Sequence, residues 1–337
     1  MRHSLMSDRQ HSAGRPARWR TRGASMLATG ALLSSVAACA SSEPTDAAAA
    51  TGDEPRSITV GTMPLADLAP FYLALEEGMF DDAGLDVEVV SSNGGAAQIA
   101  SVISGDIQIT YSNFVSVLQA VQRGLPLKAI RENNRSGPQG IYVRKDSDIS
   151  APEDLAGRTI AINSLGNIQE LTARAVLSSY GIAPEDLTFV EMPPPDMRAA
   201  LLDGHIDAAW LVEPFLTVVE SGGEGRRLVG AFEGPTEDIP VAGWVTTEQY
   251  LGSDQETVDT FISVLDEAMA RAQEDPSVLA EVIPTYTEIS PELAGRLAEP
   301  SLTPSSDLAT LADLKDLMLT HGVLEKDLDL DSMTYQP

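Results

Sequence analysis

The chain has 337 residues, with 22 Lys+Arg against 50 Asp+Glu, a net charge of −28, 43% hydrophobic residues and 5% aromatic ones. That apolar content excludes a disordered polymer, and the length suits two globular units. The charge excludes a surface that tracks nucleic-acid phosphates, which needs a basic stripe to release counterions.

Residues 1–38 hold six arginines and one acid, which leaves 16 basic and 49 acidic residues and a net charge of −33 in the remainder. Arginines 15, 18, 20 and 22 precede an uncharged stretch over 23–38, the charged-then-apolar order of a secretory signal. The stretch is too short and too rich in Ser and Gly for a permanent membrane span. It ends Leu33-Ser34-Ser35-Val36-Ala37-Ala38-Cys39, which resembles the lipobox of bacterial lipoproteins. Cys39 is the only cysteine, so an exported chain cannot use it in an internal disulfide, and acylation supplies a use. An ordinary cleaved signal with an incidental cysteine is the alternative. Residues 39–56, with four consecutive alanines and no apolar periodicity, read as a lipidated flexible tether.

Beyond the tether, short apolar runs alternate with amphipathic stretches. Residues 57–61, 85–90 and 107–110 read as strands; 68–80, 96–104 and 113–123 read as helices. This order predicts an α/β fold with mainly parallel sheets covered by helices on both faces. The plan then repeats. Gly84, Gly105 and Gly124 find counterparts in Gly181, Gly204 and Gly222 at offsets of 97, 99 and 98, each closing a helix where a left-handed residue is needed. Two similar units predict two lobes. The extended runs 140–145 and 241–246 read as the crossings between them, giving lobe I as 57–143, lobe II as 144–242 and a return to lobe I over 243–337. The helical remainder, with Phe261, Val264, Leu265 and Met269 on one face and Leu308, Leu311, Leu314, Leu317 and Met318 on another, is expected to cover lobe I.

Ligands of parallel α/β sheets bind beyond the carboxyl ends of the strands. The candidate contacts there are Met63, Asn93, Gly94, Tyr111, Ser112 and Asn113 in lobe I, and Ser164, Gly166, Asn167, Trp210 and Glu213 in lobe II. Ser, Asn and Gly at helix starts leave backbone N–H groups free for a ligand oxygen; for Ser112, Asn113, Ser164, Asn167 and Asp196, helix capping is the alternative. Trp210 offers a flat face, and Glu213 accepts N–H bonds or opposes a cation. A core Trp and a surface Glu would have the same sequence. Trp244 on the return crossing is a further aromatic candidate. Arg131 and Arg135 are candidate anion partners or solvated side chains. The sequence holds no Gly-x-x-x-x-Gly-Lys, Gly-x-Ser-x-Gly or His-Glu-x-x-His, and His205 and His321 have no Cys or paired carboxylates beside them, so no cofactor, metal or catalytic residue is assigned.

Pro70-Phe71-Tyr72-Leu73-Ala74, Glu77-Gly78-Met79-Phe80, Gly84-Leu85-Asp86-Val87, Ser104-Gly105-Asp106-Ile107 and Asp154-Leu155-Ala156-Gly157-Arg158-Thr159-Ile160-Ala161 occur in that order. Together they resemble the substrate-binding lipoproteins of the nitrate, sulfonate, taurine and thiamine-pyrimidine class of ABC importers. The resemblance implies a periplasmic-binding-protein-like fold, two lobes on a two-strand hinge that close on one small molecule and present it, as a monomer, to a membrane permease. Trp210 with Glu213-Pro214-Phe215 is similar to the variant of members that take pyrimidines or related nitrogen compounds, so Glu213→Gln is expected to weaken such a ligand more than about tenfold. A sulfonate or nitrate binder, and a solute sensor docking on a receptor, are the alternatives. Fungal pyrimidine synthases share the fold but use a lysine and paired histidines, and no His-x-x-x-His is present here.

Overall fold

The computed structural model describes residues 55–92, 94–303 and 308–337. The signal (1–38), Cys39, all of the tether but its last two residues, and Asn93 lie outside the described residues.

The first sheet takes β1 (Arg56–Thr62), β2 (Leu85–Ser91), β3 (Ile109–Asn113), β4 (Leu127–Arg135) and β10 (Pro240–Thr247); the second takes β5 (Gly140–Arg144), β6 (Thr159–Ile162), β7 (Thr188–Glu191), β8 (Ala208–Leu211) and β9 (Gly225–Gly230). Their spatial orders are β2-β1-β3-β10-β4 and β7-β6-β8-β5-β9. Element for element this is one plan used twice. The glycine echo sits at its turns, with one correction. Gly84, Gly105 and Gly124 have φ of 77, 85 and 85°, and Gly181 and Gly204 have 82 and 73°, but the third counterpart is Gly223 at 65°. Gly222 is an ordinary right-handed cap at −70°.

Neither sheet is wholly parallel. β1 pairs in parallel with β2 and β3, and β6 with β7 and β8, whereas β10 runs antiparallel to β3 and β4, and β5 to β8 and β9. The reason is geometric. The parallel strands aim their carboxyl ends at the other lobe, so a strand entering directly from that lobe must start where they finish. The runs read as crossings are therefore strands of the receiving lobe. The crossings themselves are 136–139 and 231–239, upstream of the boundaries at 143/144 and 242/243, which fall inside β5 and β10. They lie side by side, with Ser136 N–H donating to Ile239 O at 3.2 Å and Ala231 N–H to Gln139 O at 2.9 Å.

The helices are α1 (Ala69–Glu76), α2 (Met79–Asp82), α3 (Gly95–Ser104), α4 (Phe114–Gln122), α5 (Ile168–Ser179), α6 (Pro194–Leu202), α7 (Phe215–Ser221), α8 (Glu248–Ser253), α9 (Gln255–Glu274), α10 (Ser277–Tyr286), α11 (Pro291–Ala294) and α12 (Leu311–Thr320). The single helix expected over 68–80 is broken: Gly78 at φ 73° separates α1 from α2. Helices α9, α10 and α12 close over lobe I. Phe261, Leu265, Met269, Leu314 and Met318 share one apolar core with Phe71, Ile109 and Trp244. Lobe II shows the period of two of a sheet covered on both faces. Ile141, Ile160, Ile162 and Trp210 go to one core, and Tyr142, Ala161, Ala209 and Leu211 to the other.

Candidate functional site between the lobes

A partly open cleft lies between the carboxyl ends of the two sheets, with about 50 Å³ open to the centres of water-sized molecules. Lobe I contributes Met63, Leu65, Asp67, Tyr111 and Asn113; lobe II contributes Asn163, Asn167, Ile168, Gln169, Trp210 and Val212. The crossings and the start of β10 add Gln139, Val241 and Ala242. A narrower extension reaches Ser92 and Pro194. The lobes touch around this space. Ala66 N–H donates to Glu213 O at 3.2 Å, Leu65 packs on both lobes' cores, and Ile168 and Leu171 of α5 join the lobe I core.

Five candidates meet here: Met63, Tyr111, Asn113, Asn167 and Trp210. For the two asparagines, capping and lining coexist. Asn113 Oδ1 accepts from Ser116 N–H at 2.9 Å and Asn167 Oδ1 from Gln169 N–H at 3.0 Å, which closes the first turns of α4 and α5. Asn167 Nδ2 also donates to Asn163 Oδ1. Trp210 is 3% exposed, with its Nε1 donating to Thr172 Oγ1 at 3.1 Å, so what remains for a ligand is ring surface. Ser112 is fully buried, and its Oγ has no partner among the described residues. It abuts α3, where a Cβ on Gly95 would come within 2.7 Å of it.

The other candidates serve elsewhere. Ser164 Oγ donates to Glu191 at 3.3 Å, and Gly166 N–H to Glu170 at 2.8 Å, so this loop is satisfied within lobe II. Gly94 is the extended N-cap of α3 and is not part of the cavity wall. Trp244 is in the core of lobe I. It pairs with Tyr111 in the ladder, but its ring packs against Phe71 and Phe261 of the helices that cover the sheet and is not on the cavity wall. Arg131 is also buried, ion-paired with Asp266 of α9, because α9 and the C-terminal segment cover β4; Arg135, partly exposed, is bonded to Glu132 at 2.8 Å, and neither arginine lines the cavity.

Glu213 is the largest departure. It is 4% exposed, and its Oε1 accepts from Thr217 Oγ1 at 2.7 Å and from Ala298 N–H at 2.9 Å, in the segment that follows α11. Burial pushes its carboxyl up, against the opposing bonds from Thr217 and Ala298. The side chain ties the β8–α7 turn of lobe II to the C-terminal segment, and it is not on the cavity wall. The peptide bond to Pro214 is cis. Glu213→Ala is therefore expected to cost about 1–3 kcal/mol of stability by stranding three donors, the Thr217 hydroxyl, the Thr217 N–H and the Ala298 N–H. Glu213→Gln, whose amide oxygen can keep the bonds from the Thr217 hydroxyl and Ala298 while giving up the long 3.4 Å one from Thr217 N–H, should stay within about 1 kcal/mol of the parent. Urea melts of the two variants check this.

The strand-end reading missed Asp67. It lies in a short 3-10 turn (Ala66–Leu68) after β1, 4% exposed. Its Oδ1 accepts from Asn134 Nδ2 at 3.2 Å; Asn134 Oδ1 in turn accepts from Tyr111 Oη at 3.0 Å. Its backbone oxygen accepts from Asn133 Nδ2 at 2.9 Å, and Asn133 Oδ1 accepts from Trp244 Nε1 at 3.1 Å. Burial first, and then the Glu213 carboxyl, push Asp67 up to about 7, against a bond from its own backbone. Burial also raises the Tyr111 phenol, with Asp67 and Tyr286 adding to it. Gln139 is the second unforeseen wall residue. It is 3% exposed, and its Oε1 has no donor among the described residues. The sequence signal was there to find: Asp67 lies five residues past the end of β1, in the loop that leads to α1, and the Asn133-Asn134 pair is an unusual polar insert in a buried strand.

Among the described residues, Asp67 is the only Asp, Glu, Lys, Arg or His on the cavity wall. The wall thus presents amides, a tyrosine, an indole face and one carboxyl, with no cationic side chain and no histidine.

Comparison with known proteins agrees with this architecture. The chain is 26% identical over 233 residues to the taurine-binding periplasmic protein of Escherichia coli, covering 68% of each chain. It is 28% identical over 150 residues to a 4-amino-5-hydroxymethyl-2-methylpyrimidine phosphate synthase of Saccharomyces cerevisiae, covering 43% of this chain and 42% of that one. Its fold matches the alkanesulfonate-binding protein of Xanthomonas axonopodis bound to MOPS, with a TM-score of 0.73, 19% identity, and 84% and 99% of the two chains covered. Residues 66–278 match the NMT1/THI5 like family, a span that takes in the second sheet and all of the first except β1, and the chain belongs to that family.

Proposed function

We propose that the protein is the extracytoplasmic solute-binding component of an ABC importer. In this reading a lipid on Cys39 holds it to the outer face of the cell membrane, and it captures a small nitrogen-containing organic solute, pyrimidine-like in its pattern of donors and acceptors, for delivery to a permease. The observation that carries this is the cavity wall, contributed by strand ends of both lobes and formed of amides, aromatic faces and one carboxyl. A solute touching both lobes favours their closed arrangement, so binding shifts an open–closed equilibrium.

A sulfonate- or nitrate-type anion is the second reading, favoured by the taurine-binding relative. It has to do without a cationic side chain on the wall and beside a buried carboxyl. An enzyme reading follows from the synthase relative, but neither His205 nor His321 nor any of the four lysines lines the cavity.

The test is a thermal-shift screen with pyrimidines, amines, sulfonates and nitrate, followed by X-ray scattering with and without the best solute. A true ligand at 100 times its Kd should add about 2.7 kcal/mol of stability and contract the scattering profile. Cys39→Ser should move the protein from the membrane fraction to the medium. A profile that no stabilising solute changes would refute closure, and an unchanged membrane fraction would refute the anchor.

A further inference from the structure

We infer that Asp67 is the charge-selecting residue of the cleft, and that the solute it admits carries a positively charged or protonatable N–H group. This rests on the solute-binding reading above and sharpens it to a charge class.

Three observations converge. First, Asp67 is the only ionisable carboxyl on a wall with no Lys, Arg or His, and it belongs to no ion pair among the described residues. Its Oδ1 is held by a neutral amide, Asn134 Nδ2, at 3.2 Å. A carboxyl buried without a counter-charge is costly, and a cation arriving from outside removes that cost. Secondly, the group is positioned. Tyr111 orients Asn134, and Asn133, itself fixed by Trp244, grips the Asp67 backbone, so the carboxyl stands on a braced network reaching into the sheet. Thirdly, Gln139 Oε1, on the crossing that joins the lobes, is a buried acceptor without a donor on the same wall. The indole N–H of Trp210 is already spent on Thr172 and the Tyr111 hydroxyl on Asn134.

Capacity on this wall is unmet in both senses, since the side-chain amide N–H groups of Asn113, Gln139, Asn163 and Gln169 have no acceptor among the described residues; what sets Asp67 apart is that it alone can carry a full negative charge. An amidinium, a guanidinium or a protonated aminopyrimidine supplies charged N–H donors there, while the Asn and Gln amides can meet whatever acceptors it carries. A nitrate or sulfonate, which has acceptors only, would place its charge against Asp67.

The experiment is calorimetry at pH 8 on the tethered chain lacking its signal, with five probes: 4-amino-5-hydroxymethyl-2-methylpyrimidine, methylguanidine, acetamidine, nitrate and methanesulfonate. At least one of the three nitrogen bases is expected to bind and to lose about tenfold or more in affinity in Asp67→Asn, with nitrate and methanesulfonate silent. Either anion binding the parent as tightly as any base overturns the charge assignment while leaving solute capture in place; this arm needs no variant. Undiminished binding of a base by a folded Asp67→Asn, checked by circular dichroism, overturns it too. Failure of all five probes to bind overturns the nitrogen-solute reading together with this one.

Discussion

Trp244→Ala should destabilise the protein by about 3–5 kcal/mol, the range for removing a fully buried large aromatic side chain. Trp244 has no exposed surface. Its ring lies 5.1 Å from Phe71, 5.1 Å from Phe261 and 5.8 Å from Tyr111, which joins α1, α9 and β3. Truncation also strands Asn133 Oδ1, whose amide holds the Asp67 backbone at 2.9 Å. Trp244→Phe fills most of the space but supplies no donor, and should cost about 1–3 kcal/mol, the penalty for one buried unsatisfied acceptor. Urea denaturation of the three proteins decides the matter. A cleft aromatic would give the reverse pattern, little change in stability and a loss of solute affinity, and that outcome would return Trp244 to the cavity wall.

Asp67→Asn should stabilise the solute-free protein, and by more at high pH than at low. The folded carboxyl titrates at about 7 against an ordinary 3.8, so the folded chain holds a proton that the unfolded chain has given up between those values. Stability associated with that proton is complete below the unfolded value and declines as pH rises through the folded one; above about 7 the buried charge is a constant cost, of order 4 kcal/mol at most. Glu213, Tyr111 and Tyr286 face the group, and none can offset it with positive charge. Asparagine keeps the shape and the bond from Asn134 without titrating. The stability difference between variant and parent should therefore grow by about 2–3 kcal/mol from pH 5 to pH 8. Denaturant midpoints across that interval measure it, and a difference that stays flat would mean the carboxyl is not desolvated as the geometry requires. A cationic solute acts in the opposite sense, favouring the carboxylate, so its affinity should rise with pH through the same window.

Sequence reasoning reached the architecture because its evidence is local. Glycine at Gly84, Gly105, Gly181 and Gly204 meets a need for positive φ that a short window reveals, and the alternation of short apolar runs with amphipathic stretches shows strands followed by covering helices. The duplicated order of strand and helix, and hence the address of a site beyond the strand ends, follows from such windows. Met63, Tyr111, Asn113, Asn167 and Trp210 are at that address.

What the tertiary structure alone decided is which partner each of these residues meets. Trp210 and Trp244 both sit in strands and both are packed in a core, yet Trp210 also gives ring surface to the cavity while Trp244 is enclosed by Phe71 and Phe261. Glu213 and Asp67 both follow strand ends, yet a backbone N–H 85 positions further along takes up the first, while the second is left without a counter-charge. The enclosure of an indole by remote helices and the capture of a carboxylate by a remote segment depend on contacts between residues far apart in the chain. No local period or turn preference encodes them.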